Sequence, residues 1–281
     1  MYEMILDGIS KTAEQAITEN ADDYRNADGL LYCGKCRTAK ECVIELFGKT
    51  KTVRCICKCE KERDDAEKAR FNAMQEQIRI RQLRSVGITD KKILAYTFKN
   101  DDGNNPQISD LARRYVERFE EMKANNCGLL LHGDTGTGKS FYAGCIGNAL
   151  IDKGVSVFAT SVPRLLNLIF DTANKSALLR DICSYDLVII DDIGAERATE
   201  YAIEQLYTII DERYKSNKPV ICTTNIEPQA FSNAPDIQRK RIYDRILEMC
   251  TPVEVKGQRR KAAGQAKAKM LNDLLYGDNA Q

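Results

Sequence analysis

The run Gly133-Asp134-Thr135-Gly136-Thr137-Gly138-Lys139-Ser140 constrains this chain of 281 residues more than any other stretch. It fits the spacing G-x-x-x-x-G-K-[ST], with an apolar run before it (128–132) and a helical pattern after it (141–151). That is the strand, loop, helix context a phosphate-binding loop needs. Glycines let the backbone turn tightly, so that successive N–H groups point at phosphate oxygens, and the helix start adds the positive end of its dipole. The expected nucleotide-binding set runs from Gly133 through Phe141, with Lys139 reaching the β- and γ-phosphates and Ser140 ligating Mg²⁺. A glycine-rich turn that met the spacing by chance would lack both flanks.

After this loop the pattern alternates. Residues 155–159, 187–190 and 220–224 read as strands, and 162–170, 176–183 and 200–215 as helices. Strands alternating with helices predict an α/β fold, a parallel sheet covered on both faces, with the phosphate loop at a strand's C-terminal end, where such sheets bind ligands. Four apolar residues at 187–190 run into Asp191-Asp192, the pattern of a second Mg²⁺-side element. Asp191 is expected to hold Mg²⁺, through water, since that ion prefers oxygen ligands and keeps part of its hydration shell. Asp192 is expected to polarise the attacking water. Asn225 ends the next strand, where its amide is set to contact the γ-phosphate or orient the water. Farther on, Arg241 and Arg245 lie one helical turn apart. One role for them is an arginine finger donated to a neighbouring subunit's nucleotide. The plainer role is a pair of surface arginines balanced by Asp244 or Glu248.

Before the loop the signals differ. Met4, Ile5, Ile9, Ala13, Ala16 and Ile17 carry a helical spacing, either a packed helix or one that meets a partner. Six of the eleven cysteines fall between positions 33 and 59. Cys33-x-x-Cys36, followed some twenty residues on by a second close pair, offers four thiolates to a tetrahedral Zn²⁺. Cys55 with Cys57 and Cys57 with Cys59 both fit that second pair, and Cys42 is near. Because residues 53–56 alternate like a strand running into the knuckle, the preferred ligand set is Cys33, Cys36, Cys57 and Cys59. Four thiolates leave no open position for water, so the zinc would be structural. His132, the single histidine, ends the phosphate-loop strand and reads as a packed residue. Residues 60–84 read as one long charged helix, with Phe71, Met74, Ile78, Ile80 and Leu83 marking an apolar side and Gly87 ending it; 101–106 is a loop signal, and 108–123 an amphipathic helix.

Forty-two Lys and Arg stand against forty-one Asp and Glu, so attraction to nucleic acid must come from local patches rather than a global field. Such a patch is offered by Lys256, Arg259, Arg260, Lys261, Lys267 and Lys269, a run without an intervening acid. No stretch approaches the roughly 18 apolar residues that span a bilayer, and the N-terminus lacks a basic then apolar leader, so a cytoplasmic location is expected, with no membrane partner.

Taken together, the cysteine module (Cys33, Cys36, Cys57, Cys59, Glu60), the loop at 128–140, the acidic strand end at 189–196 and Thr223-Thr224-Asn225 resemble the DnaC/DnaI-type replicative helicase loaders. These are AAA+ ATPases of bacteria and their phages, with the transposition helper IstB as a cousin. The resemblance spans most of the chain. It implies an AAA+ P-loop fold with a reduced lid plus a small zinc-binding domain, and the cofactors ATP or ADP, Mg²⁺ and Zn²⁺. Its implied parts are a helicase-interacting domain (1–62), a helical linker (63–95), an ATPase domain (96–262) and a basic helical tail (263–281). Its implied partners are the hexameric replicative helicase, single-stranded DNA and further copies of the chain, joined through Arg241 in trans. Lys139 and Ser140 match Walker A, Asp191 and Asp192 Walker B, Asn225 sensor 1, and Arg260 or Arg259 sensor 2. The segment 161–180 matches an extra DNA-facing helix, with Arg164, Lys175 and Arg180 as its basic candidates. The implied activity is a slow ATPase, stimulated by DNA or partner, that loads the helicase. The alternatives are an IstB-like helper on duplex DNA and a weakly hydrolysing, ATP-gated adaptor.

Overall fold

A computed structural model describes residues 20–257 and 270–271, apart from 47, 89, 195–199 and 232–235. The helical signal near the N-terminus, Glu196, the sensor 2 candidates Arg259 and Arg260, and the basic run from Lys261 to Lys269 lie outside the described residues. The chain divides into two units, Met1–Gln77 and Ile78–Gln281.

Among the described residues, the first unit holds two short hairpins. Strands β1 (Tyr24–Arg25) and β2 (Leu31–Tyr32) pair antiparallel, as do β3 (Glu41–Leu46) and β4 (Lys49–Arg54). So small a unit cannot bury much apolar surface, and its interior is polar. Lys40 and Asp23, both almost fully buried, pair at 2.5 Å. Glu41 accepts hydrogen bonds from the Leu31 amide at 2.9 Å and from Arg25 at 3.0 Å. Helix α1 (Lys58–Gly87) follows. The helix runs past the boundary between the units, and its sequence-predicted apolar side is only partly used: Ile80 and Leu83, which belong to the second unit, pack against that unit's core, whereas Phe71 and Met74 are exposed. Gly87 is the last residue of the helix, and only glycine fits there, since a Cβ would meet the Val157 carbonyl oxygen at 1.9 Å.

The second unit is a five-stranded parallel sheet in the order β6-β7-β8-β5-β9. In chain order it runs through α2 (Lys91–Leu94), α3 (Pro106–Glu117), α4 (Phe119–Ala124), β5 (Gly128–His132), α5 (Lys139–Asp152) and β6 (Val157–Ser161). It continues through α6 (Val162–Asp171), α7 (Lys175–Ser184), β7 (Leu187–Ile193), α8 (Glu200–Lys215), β8 (Val220–Thr224), α9 (Pro228–Phe231), α10 (Ile237–Met249) and β9 (Cys250–Glu254). Alternate residues face opposite layers, as the two-residue period of a strand requires. Leu129, Leu131, Ala159, Ile189 and Ile221 join one core with α3 and α5. Leu130, Phe158, Val188, Ile190 and Cys222 join the other with α6, α8 and α10.

Two sequence expectations are corrected. The helix expected over 108–123 is two helices, α3 and α4, broken at Arg118 (φ −103°, ψ 25°), whose side chain pairs with Glu121. The strand expected over 155–159 is displaced by two residues, to Val157–Ser161, and Ser156 just before it is bonded instead to Asp186, which precedes β7: its hydroxyl donates to that carboxylate at 2.7 Å and accepts from the Asp186 amide at 3.0 Å. No helix among the described residues is long and apolar enough to cross a membrane.

Candidate nucleotide site and cysteine cluster

Strand β5 lies between β8 and β9, and at its end the chain enters the glycine loop. Gly133, Gly136 and Gly138 all have positive φ (133°, 85° and 106°), which a side-chain-bearing residue adopts only with strain. At Gly133 a Cβ would also stand 2.8 Å from the Val255 carbonyl oxygen. Thr137 closes the turn by donating to the Asp134 carbonyl at 2.9 Å. Lys139, in the first turn of α5, donates to the carbonyls of Gly133 at 2.8 Å and Asp134 at 2.7 Å. Burial pulls the Lys139 ammonium below its ordinary value, and the nearby carboxylates of Asp192, Asp134 and Asp191 oppose that pull.

A cleft of about 300 Å³ opens over this loop, and Lys139, Ser140, Phe141, Asp191, Asp192 and Asn225 all line it. Residues far apart in sequence therefore converge on one cleft. The acidic pair and Asn225 arrive because β7 and β8 run parallel to β5 and end on the same side. Asn225 donates its amide to Asp192 Oδ1 at 3.3 Å. The donor set consists of a hydroxyl and carboxylate oxygens opposite a lysine and a row of backbone amides, which suits Mg²⁺ and a phosphate chain.

Two lining residues have no role assigned from sequence, although Thr223 belongs to the strand-end motif Thr223-Thr224-Asn225. Tyr96, which packs edge-on to Phe141 with ring centroids 5.5 Å apart, comes from a loop with no local signal of its role. Thr223 sits one residue inside the end of a buried strand, where a polar side chain is itself the available signal.

The arginines separate. Arg245 ion-pairs with Asp211 and lies over the rings of Tyr207 (4.9 Å) and Tyr214 (5.5 Å), so its partner is Asp211 rather than Asp244 or Glu248. Arg241 is exposed and makes no ion pair among the described residues. Of the basic candidates over 161–180, Arg164 faces Asp90 at 3.6 Å, Lys175 donates to the Tyr201 hydroxyl at 3.1 Å, and Arg180 is exposed. His132 is buried, with Glu227 3.3 Å from its Nδ1.

In the first unit Cys33, Cys36, Cys57 and Cys59 come together with all four sulfurs within 4.8 Å of one another. Cys33 follows β2 directly, the chain turns back just after Cys36 at Arg37 (φ 56°), and Cys57 and Cys59 straddle the start of α1. The Cys33–Cys59 and Cys57–Cys59 sulfur separations are 3.6 Å and 3.4 Å. Ligands at about 2.3 Å around a tetrahedral Zn²⁺ stand roughly 3.8 Å apart, so the cluster fits that ion with little movement. The Thr38 hydroxyl holds the Cys36 thiol down to about 5, whereas crowding by Cys57, Cys33 and Cys36 pushes Cys59 up to about 12. Four sulfurs this close do not all carry charge without a cation between them. Cys55 stands apart, its amide bonded to the Lys40 carbonyl and its sulfur turned to the Ala39 carbonyl.

The family described as IstB-like ATP binding protein matches residues 59–268. The replicative helicase loader DnaC of Escherichia coli K12 is 31% identical over 140 residues, 48% of this chain and 55% of that protein. The replicative helicase loader DnaI of Bacillus subtilis is 23% identical over 189 residues, covering 60% of this chain and 59% of that one. The chain thus matches little more than half the length of these relatives. A crystal structure of DnaI superposes with a TM-score of 0.52 at 25% identity, over 64% of this chain and 99% of that one.

Proposed function

Because the chain belongs to the IstB-like ATP-binding protein family, we propose that it is an ATP-switched loader that delivers the hexameric replicative helicase to single-stranded DNA. The observation that carries this reading is the pairing, in one chain, of the nucleotide cleft at the ends of β5, β7 and β8 with a four-cysteine cluster. The names of the DnaC and DnaI relatives support it.

In this reading the amides of residues 133–138 and the Lys139 ammonium hold the phosphates, while Ser140 and Asp191 are the Mg²⁺-side residues. Mg²⁺, when bound, neutralises phosphate charge. Asp192 takes the proton from the attacking water, and Asn225 holds that carboxylate and the water in line. Hydrolysis to ADP and phosphate is slow and serves release rather than processive work. Arg241 completes the site of the next subunit, a role its exposure suits and that the engagement of Arg245 leaves to it. Arg260, or Arg259, senses the nucleotide from the same chain. Cys33, Cys36, Cys57 and Cys59 hold a structural Zn²⁺ in a helicase-interacting module (1–62), joined by a helical linker (63–95) to the ATPase part (96–262) and a basic tail (263–281).

The family's IstB-like description favours a second reading, a transposition helper that assembles on duplex DNA. ATPase rates with single-stranded and duplex DNA, together with helicase co-purification, separate the two. A loader is stimulated by single strands and retains the helicase. Stimulation by duplex alone, with no helicase retained, overturns the loader reading.

A further inference from the structure

At the end of β7 the pairing with β8 slips. Ile190 stands opposite Cys222 and Ile193 opposite Thr224, so Asp191 and Asp192 together face the single residue Thr223. This is a bulge, and Asp192 takes the bend in the left-handed region at φ 64°. A bulge costs the strand its regular ladder bonds, and here hydroxyls replace them. The Thr223 hydroxyl accepts from the Asp192 amide at 2.8 Å and donates to Asp191 Oδ1 at 2.6 Å. Beside it, the Thr224 hydroxyl donates to the Ile193 carbonyl at 2.7 Å and accepts from the Ile226 amide at 3.1 Å. Thr223 is 1% exposed, so water does not compete for its two bonds.

We propose that Thr223 is a positioning residue of the nucleotide site, its hydroxyl aiming the Asp191 carboxylate at Mg²⁺ while pinning the bulge that turns Asp192 into the cleft. The inference rests on the reading of this cleft as a Mg²⁺–nucleotide site. The chemistry demands a group that donates and accepts at once. An ionised Asp191 only accepts and the Asp192 amide only donates, so a hydroxyl between them satisfies both. Because the hydroxyl belongs to β8, the strand that leads to Asn225, it makes the aim of the metal-side carboxylate depend on the element that contacts the γ-phosphate end. Outer-shell partners of this kind set metal affinity by about 10–100-fold.

The test is a Mg²⁺ titration of fluorescent ATP-analogue binding to the full chain, with affinity in excess EDTA measured alongside. Thr223→Val keeps the shape and loses both bonds, Thr223→Ala loses them without the branched side chain, and Thr223→Ser restores them. The expected result is a Mg²⁺ midpoint raised at least about tenfold in Thr223→Val and Thr223→Ala, near wild type in Thr223→Ser, with EDTA affinity unchanged in all three. Should the valine and alanine variants fail to fold, the serine variant still decides: a tenfold rise there overturns the proposal. Unchanged midpoints in Thr223→Val or Thr223→Ala also overturn it. Lys139→Ala separates this failure from failure of the site reading: if that variant still binds the analogue like wild type, the cleft is not the nucleotide site.

Discussion

Arg213 is fully buried, and its guanidinium donates to four backbone carbonyls: Cys183 (3.2 Å), Tyr185 (2.8 Å), Asp186 (3.0 Å) and Pro219 (2.5 Å). These carbonyls lie at the entries to β7 and β8, the two strands whose far ends carry Asp191 and Asn225. Replacing Arg213 with Met keeps the bulk and removes the charge, and two opposing effects follow. Burial holds this guanidinium down to about 10, a depression worth roughly 3 kcal/mol against keeping the charge inside, which the substitution returns. Against that, one buried and three partly buried carbonyls lose their partner at about 1–3 kcal/mol each, the partly buried ones toward the lower figure. The second effect wins, and a net loss of about 3 kcal/mol is expected for Arg213→Met. For a unit of this size the midpoint of thermal unfolding should fall by roughly 6–12 °C. The chain has no tryptophan, so far-UV circular dichroism or calorimetry is the assay. A variant as stable as wild type would show that the four bonds do no more than offset the cost of burying the charge.

Lys139→Ala should weaken ATP binding by about 100-fold or more, read by equilibrium binding, because it removes a charge-assisted contact to phosphate. Arg241→Ala should leave binding intact and lower turnover by about a thousandfold, the usual worth of an arginine finger; normal turnover rules that role out. Metal analysis of the full chain should give about one Zn per molecule, and Cys57→Ser should lose it together with the fold of the first unit. Asp23, held down to about 2 chiefly by Lys40, should titrate by NMR near 2. Its stabilising contribution is present above the ordinary carboxylate range and is lost as pH falls toward 2; a midpoint at 4 contradicts the pair.

The parts legible in the sequence are those set by short-range pattern. The glycine spacing, the buried strands at 187–190 and 220–224 and the helix at 200–215 each declare themselves within one short continuous stretch. The metal-compatible cysteines are legible as two close pairs, at 33 and 36 and at 57 and 59, where the strand-like run before Cys57 removes Cys55 from the cluster. What was not legible depends on partners distant in sequence. The break at Arg118 interrupts a continuous amphipathic pattern with no glycine or proline to mark it. The left-handed turn at Asp192 exists because Thr223, 31 residues on, supplies an oxygen for its amide. Phe71 and Met74 carry helical periodicity and still face solvent, since periodicity reports an apolar face and not what covers it. Arg213 looks like a surface charge in sequence and is fully buried, because the turns before β7 and β8 leave carbonyls that no strand satisfies.

The loader role is decided by retention of the hexameric replicative helicase on a circular single strand, measured with the full chain, ATP and Mg²⁺. Wild type should raise the amount of bound helicase, Lys139→Ala should not, and ATP hydrolysis should rise with the same single strand. Helicase retention indifferent to the chain, with hydrolysis that responds to duplex DNA alone, would rule the loader role out.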